Sequence, residues 1–419
     1  MKNPINSQQY LLLEGPEMFF IILMATGTLA LSSSGGGHGS GSGFNLQAIR
    51  LMVLEVFCVL VLLVSSRKPV WGIGTVLYLV YILWLVYSMS YSQAGQYGWR
   101  YILKYLYPLL IMLVASACVR DEEVFLGVCL WSRRIALLSI IVLMTPIGNL
   151  LGGTFWYLTA LNLHYSTIVC VSLAMFFFYG KDWKDLVIAI LFFMPCITSV
   201  HRTGLLAIFV SVAVFAFFKF KWISLPYIIG VLAIGVAIVF YVPAFHDKMF
   251  WKDTENELTV QDLREGNISE EDIRNNGRQA VWTMLKAEFY EGHELKGSGI
   301  GSCQKLLYEH DAVIKQTHGD YVQMQCDTGD IGMLLYIAIA VAILIHCIVI
   351  CFSNTYPTYI KACAMIAAGG IAGCYAGMYS DNVVTYTMAT TSYPFAFYGM
   401  LLGMKAKLTE GIRVKERGL

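Results

Sequence analysis

Charge is what this chain lacks. Asp, Glu, Lys and Arg together make up 14% of its 419 residues while 57% are hydrophobic; soluble domains carry about 25% charged residues. That balance excludes an ordinary water-soluble domain and belongs to lipid. A net charge of +1 provides no basic footprint, so nucleic acid is not an expected partner. A removable leader is not expected either: "MKNPINSQQYLLLEGPEMFFIILMATGTLALS" lacks the short basic, apolar and small-residue succession and reads as a retained first span. No internal repeat relates the two halves, which counts against the inverted-repeat secondary transporters. Cysteine offers little chemistry: all but Cys303 and Cys326 lie in apolar runs, where a thiol behaves as a small hydrophobe. Those two share one polar segment and would pair as a disulfide only if it faces an oxidising compartment.

Apolar runs are present in abundance. A membrane-crossing helix needs about 20 apolar residues, and candidate stretches fall at 17–34, 48–66, 70–89, 101–119, 135–151, 163–180, 186–200, 203–219, 224–243, 331–352, 358–380 and 386–404. The seventh and eighth are short and meet around "VHRT". With the N-terminus in the cytoplasm, the inner loops collect Arg67, Lys68, Arg120, Arg133, Arg134, Lys181, Lys184, Lys219, Lys221, Lys361 and the basic tail. The outer loops and their edges keep Arg50, Arg100, Lys104 and Arg202, as the positive-inside rule requires. Tryptophan and tyrosine supply interfacial anchors. The expectation is an all-α polytopic membrane protein of about 12 transmembrane helices. It divides into 1–243 (spans 1–9), 244–330 (a large helical extracytoplasmic loop) and 331–419 (spans 10–12 and a basic cytoplasmic tail). Both termini then face the cytoplasm, and "SSSGGGHGSGSG" becomes a flexible first outer loop.

Most of the polarity sits in the outer segment. Ser269 with Asp272 reads as a capping box and "NNG" as a turn. A helix then starts near Arg278, with Val281, Trp282, Leu285 and Phe289 forming one apolar stripe. Arg278 in a first helical turn stands beside unpaired backbone N–H groups, a combination suited to phosphate; a surface ion pair with a nearby acid is the plainer alternative. "KGSGIGS" lacks the lysine and parallel strand of a nucleotide loop and reads as a tight turn where backbones pass closely. In "KQTHGDYVQMQCDTGD", Thr317 and Asp320 fit a capping box that places His318 at the first helical position, with Gly329 ending the helix before the tenth span. There the helix dipole disfavours the protonated ring, and a neutral imidazole is what a general base needs; a purely structural surface histidine is the alternative. Arg202, where two short spans meet at the outer face, faces either an anionic partner or snorkels to the interface. No outer cluster has metal-ligand spacing.

Taken together, "TSVHRTGLLA", "GRQAVW", "GSGIG" and "THGDYVQMQCDTGDIGMLLYIAI" resemble the O-antigen ligase and Wzy-type polymerase family, from Thr198 onward. Gly319 stands where the family usually has Asn, Val322 where Leu is commoner, and His201 where Ser is frequent. The resemblance implies a GT-C-like, metal-independent inverting glycosyltransferase of the bacterial cytoplasmic membrane with its site facing outward. His318 would be the catalytic base, and Arg202 and Arg278 would bind the pyrophosphate of an undecaprenyl-pyrophosphate-linked glycan donor. No cofactor is implied. A glycan or lipid acceptor, membrane lipid, a flippase and a chain-length regulator are the partners such an enzyme would meet. The first expectation is polymerisation of lipid-linked repeats into O-antigen or capsule. The alternatives are ligation of finished glycan to lipid A-core or protein and, in a different class, a polysaccharide flippase or transporter.

Overall fold

The computed structural model of the chain describes Glu17, Phe20, Leu23, Met24 and residues 46–144, 158–249, 278–309 and 316–416. The described residues are helical, without a strand. In chain order the helices are α1 (Leu46–Val64), α2 (Ile73–Ser88), α3 (Gln96–Cys118), α4 (Glu122–Met144), α5 (Leu158–Met175), α6 (Trp183–Leu191), α7 (Met194–Thr198) and α8 (Arg202–Phe220). They continue as α9 (Leu225–Tyr241), α10 (Pro243–Met249), α11 (Arg278–Phe289), α12 (Ser302–Glu309), α13 (Asp320–Phe352), α14 (Thr358–Gly377) and α15 (Ser392–Glu416).

Among the described residues six stretches are long and apolar enough to cross a membrane: Gln96–Cys118, Glu122–Ile141, Asn162–Gly180, Arg202–Tyr241, Asp320–Phe352 and Thr358–Gly377. This makes the chain a multi-pass membrane protein; the shorter α2 is equally apolar. Arg202–Tyr241 is not one rod. At 1.5 Å per residue its 40 residues would reach about 60 Å, twice a hydrocarbon core. The helix breaks at Lys221, whose φ is 55°, and a 3-10 turn over Lys221–Ser224 reverses the chain. Phe209 of α8 then lies against Gly235 of α9, both 13 residues from Trp222, so the two helices form a hairpin.

Several expected boundaries move. The stretch expected over 135–151 belongs to a helix that already starts at Glu122; residues 145–157 lie outside the described ones, as does most of 17–34. The stretch over 186–200 is two short helices, α6 and α7, the second opening on Pro195. α13 begins at Asp320, well before 331, and is interrupted at Gly329 (φ 68°, ψ −175°), where a helix end was expected. The last helix starts at Ser392 and not at 386, after a 3-10 turn over Val384–Tyr386. Ser269, Asp272 and the "NNG" turn lie outside the described residues, as does the first outer loop.

Small residues let the central helices approach. A Cβ on Gly373 of α14 would lie 2.1 Å from the Ser211 hydroxyl of α8, and one on Gly399 of α15 would lie 2.2 Å from the Met112 carbonyl of α3. Where apolar burial against lipid gives no net drive, such close backbone packing holds helices together. At one end of the bundle Arg120 donates to the Lys68 carbonyl (2.7 Å) and pairs with Glu410 (3.7 Å), while Lys407 pairs with Asp121. The opposite end carries the 88–101 turn, the 290–330 segment and the 378–391 turn, and it is there that polar side chains gather.

Candidate functional site

The site is built on three chain segments that meet at this polar end. The first is the entry to α8. Val200, a β-branched residue, is held at φ 51°, a conformation disfavoured for it, and this turns His201 onto the helix start. His201 acts as N-cap: its Nδ1 accepts from the Gly204 amide at 2.9 Å. A neutral ring that accepts at Nδ1 carries its proton on Nε2, and that nitrogen sits 3.3 Å from Asp381 Oδ2. The departure from serine at this position is thereby explained. Imidazole performs the capping that a serine hydroxyl would and adds a link to Asp381. Arg202 follows as the first residue of α8 and is half-buried.

The second segment is the 378–384 turn between α14 and α15. Asp381, 5% exposed, accepts from the Asn382 amide at 2.8 Å and lies 3.8 Å from His318 Nδ1. Burial opposes its ionisation, yet His201 and His318 beside it hold its carboxyl well below the usual range. Thr203 and Ser380 share a hydroxyl contact of 2.9 Å, which fastens this turn to α8.

The third segment carries His318. The expected capping box does not form, and the physical reason is tertiary. Asp320 Oδ2 accepts from the Val384 amide at 3.0 Å, 64 residues away; Thr317 Oγ1 turns to Gln323 Oε1 at 3.4 Å. Gly319 is the N-cap residue, so His318 stands outside the helix, with φ 50°. Strain of this kind in a non-glycine residue persists only when its surroundings fix it. Here the His318 amide donates to Asn382 Oδ1 (2.9 Å), and the Asn382 amide group faces both His318 Nδ1 (3.1 Å) and Gln316 Oε1 (2.8 Å). His318 Nδ1 thus has two neighbours of opposite character. The Asn382 amide asks it to accept, and the Asp381 carboxylate asks it to donate. Which one it answers decides whether Nε2 carries a proton or a free lone pair.

Arg278 opens α11, as expected from the sequence; its side chain lies outside the described residues. One turn further on, Trp282 Nε1 donates to the Thr317 carbonyl at 2.7 Å, which ties α11 to the residue before His318. The departure at Gly319 follows from this contact: a Cβ there would lie 2.9 Å from the Trp282 ring. The expected apolar stripe is present, with Leu285, Val281 and Phe289 packed around the free thiols of Cys303 and Cys326. Burial, then the neighbouring Cys326 thiol and the Asp327 carboxylate, push the Cys303 thiol up, which makes its thiolate scarce and its oxidation slow.

"KGSGIGS" is a clamp. Asp327 accepts from the Gly301 amide through Oδ2 and from the Cys303 amide through Oδ1, both at 3.0 Å. A carboxylate of the protein's own occupies donors that could otherwise hold phosphate. Gly297, at φ 67°, passes so near α13 that a Cβ would lie 2.6 Å from the backbone of residues 327–329. A cavity of about 580 Å³ is elsewhere: Trp71, His346, Lys405 and Glu410 line it at the opposite end, about 40 Å along α13 from His318.

The fold and this seam define a multi-pass helical membrane protein with a His–Asp–His bridge at one end. Residues 186–337 match the family described as O-Antigen ligase. The match supports an enzyme of the O-antigen ligase or Wzy-type polymerase family acting on glycan at a membrane. No curated protein matches the chain. The matched segment contains Arg202, Arg278 and His318; Asp381 and Asn382 lie beyond it. Those two, with His201 in an active part, are the site residues the sequence reading missed. The available signal was "YSDN", a polar tetrad between two apolar runs.

Proposed function

We propose that the protein is a glycosyltransferase that polymerises polyprenyl-pyrophosphate-linked oligosaccharide repeats into a surface polysaccharide, O-antigen or capsule. The observation that carries this reading is the seam joining His318, Asp381 and His201, with Arg202 next in chain and the Arg278 helix tied to Thr317; all of these but Asp381 fall in the segment matched to a glycan-handling family. In this reading the seam faces outward, both termini are cytoplasmic, and 244–330 is the outer segment.

The proposed chemistry runs as an inverting displacement, and the geometry of the seam supports it. When His318 Nδ1–H turns to Asp381, the Nε2 lone pair is free to take the proton of an acceptor sugar hydroxyl. The oxygen left behind attacks the anomeric carbon of the donor glycan from the face opposite the pyrophosphate. As the new C–O bond forms, the bond to the pyrophosphate oxygen breaks and its electron pair leaves with that oxygen, so the anomeric configuration inverts. Arg202 and Arg278 meet the developing negative charge, each as a planar fork suited to phosphate oxygens. The proton gained by His318 passes to solvent or to the departing pyrophosphate.

The printed description of the matched family favours a second reading, transfer of finished glycan to lipid A-core or protein. A deletion strain separates the two. Single repeats on the final acceptor support polymerisation; long glycan stranded on the carrier lipid supports ligation. Repeats trapped on the cytoplasmic face overturn both.

A further inference from the structure

Beside the seam lies a second polar cavity of about 110 Å³, lined among others by Arg100, Lys104, Tyr101, Gln304, Tyr308 and Gln316. Arg100 and Lys104 stand four residues apart on α3, on one face of the helix, where like charges repel. No acidic side chain among the described residues lines the cavity. Asp320 is in electrostatic reach of Lys104, but its Oδ2 accepts the Val384 amide. Lys104 Nζ rests 4.3 Å from the centre of the Tyr101 ring, and Arg100 has no hydrogen-bond or ion-pair partner among the described residues. Arg100 and Lys104 face a shared space with Asp320 the one carboxylate among the described residues acting on either, and a local positive field remains that an anion would relieve.

The rest of the lining narrows the anion. Tyrosine rings offer apolar faces for a sugar, and Gln304 and Gln316 offer amide donors and acceptors for hydroxyls. Tyr101 OH already donates to Gln304 Oε1 at 2.8 Å, which fixes that amide's orientation. Gln316 connects the cavity to the site, since its Oε1 accepts from Asn382, whose amide also faces His318 Nδ1. From this arrangement we infer that the Arg100–Lys104 cavity is a subsite for a sugar bearing a negative group, carboxylate or phosphate, within the glycan that is joined at His318. The inference rests on the glycosyltransferase reading for its purpose and on the cavity alone for its chemistry. It also makes specificity physical: a neutral sugar leaves two buried-side cations unanswered, whereas an acidic one answers both.

The test is binding by the full-length protein in nanodiscs, which needs no turnover. Calorimetric titrations use a glucuronate-containing disaccharide, its neutral glucose counterpart and inorganic pyrophosphate. They are run on wild type, Arg100→Gln, Lys104→Gln and Lys104→Arg, with Tm as the check on folding. The glucuronate probe is expected to bind about tenfold tighter than the neutral one, the worth of one charge-assisted contact. Each Gln variant should lose that advantage, Lys104→Arg should keep it, and pyrophosphate binding should not change. Equal binding of the two disaccharides, or a loss confined to pyrophosphate, which would make the cavity a carrier-phosphate site, overturns the inference. A deletion strain with normal surface glycan sinks the glycosyltransferase reading while leaving glucuronate binding to be found or not. Altered glycan in that strain, with no preference for glucuronate in vitro, sinks the subsite alone.

Discussion

Replacing Asp381 by asparagine changes one atom's charge and reorganises the whole seam. The carboxylate accepts from the Asn382 amide (2.8 Å), stands 3.3 Å from His201 Nε2 and 3.8 Å from His318 Nδ1, and is nearly excluded from solvent. Hydrogen bonds to a charged partner are worth about 1.5–3 kcal/mol each. An asparagine keeps one carbonyl oxygen for one of them and turns an NH₂ toward another. The expected loss of stability is therefore about 1–3 kcal/mol, well short of unfolding. Function should suffer more. In the Asp381→Asn variant, the carboxylate that favours Nδ1–H on His318 is gone and a neutral amide carbonyl is the strongest acceptor left, so the tautomer with a free Nε2 lone pair loses its charged support. The cost is that of disabling a general base, about 10²–10⁴-fold in the transfer rate. The assay is transfer of a lipid-linked repeat by the purified variant, followed as polymer ladder intensity, with Tm measured in parallel. A variant that keeps full activity while folding normally would refute the role of Asp381 in setting the histidine tautomer, and with it His318 as base through Nε2.

Four further outcomes are expected. His318→Ala should abolish polymer with Tm within a few degrees of wild type, because the ring is half-exposed; retained polymer in the same ladder assay removes it from the mechanism. Gly297→Ala should lower stability by about 2 kcal/mol or more, since a Cβ would lie 2.6 Å from backbone and the φ is positive; an unchanged Tm contradicts the clamp. Trp282→Phe removes the hydrogen bond to the Thr317 carbonyl, worth about 1 kcal/mol, and should slow transfer more than it lowers Tm, read from the two measurements together. The pH sign is fixed by Asp381. Its folded pKa is depressed, so the stability it contributes is full above the unfolded value of about 3.9 and is lost only as pH falls through the lower folded value. The Tm difference between wild type and Asp381→Asn should therefore not shrink through this carboxyl between pH 8 and 5, and a clear shrinkage there refutes the depressed carboxyl.

The apolar runs were legible because a helix in lipid must satisfy its own backbone and present apolar side chains along its length, a property that needs no knowledge of partners. Where the expectation slipped, a charge was the reason. Arg133 and Arg134 look like loop residues, yet Arg133 pairs with Asp185 of α6, so the helix from Glu122 carries it without interruption. His318 shows the same limit at finer scale. Thr317 and Asp320 have capping-box spacing, but Val384, 64 residues on, claims Asp320. A local pattern predicts the local partner and cannot weigh a distant amide against it. The break at Gly329 was readable because a positive φ is a property of the residue itself. Asp381 was not readable, since nothing near it in sequence says that two histidines from other segments converge on its carboxylate.

That convergence also explains why the glycine-rich turn gave an ambiguous signal. Closely spaced amides around a helix start can hold either a ligand's phosphate or a carboxylate of the protein's own, and sequence spacing is the same in both cases. Asp327 decides it by capturing Gly301 and Cys303, while Tyr91 OH donates to the Lys296 carbonyl and Ser92 Oγ to that of Ile300 from the α2–α3 turn. The 296–303 segment is therefore pinned to α13 on one side and to the α2–α3 turn on the other. A base must be held to within a fraction of an ångström of its proton to act, and a residue on an unanchored outer loop could not be. In the proposed reading the turn is spent on the protein's own aspartate, which leaves anion binding to the arginines and lysine proposed around the seam.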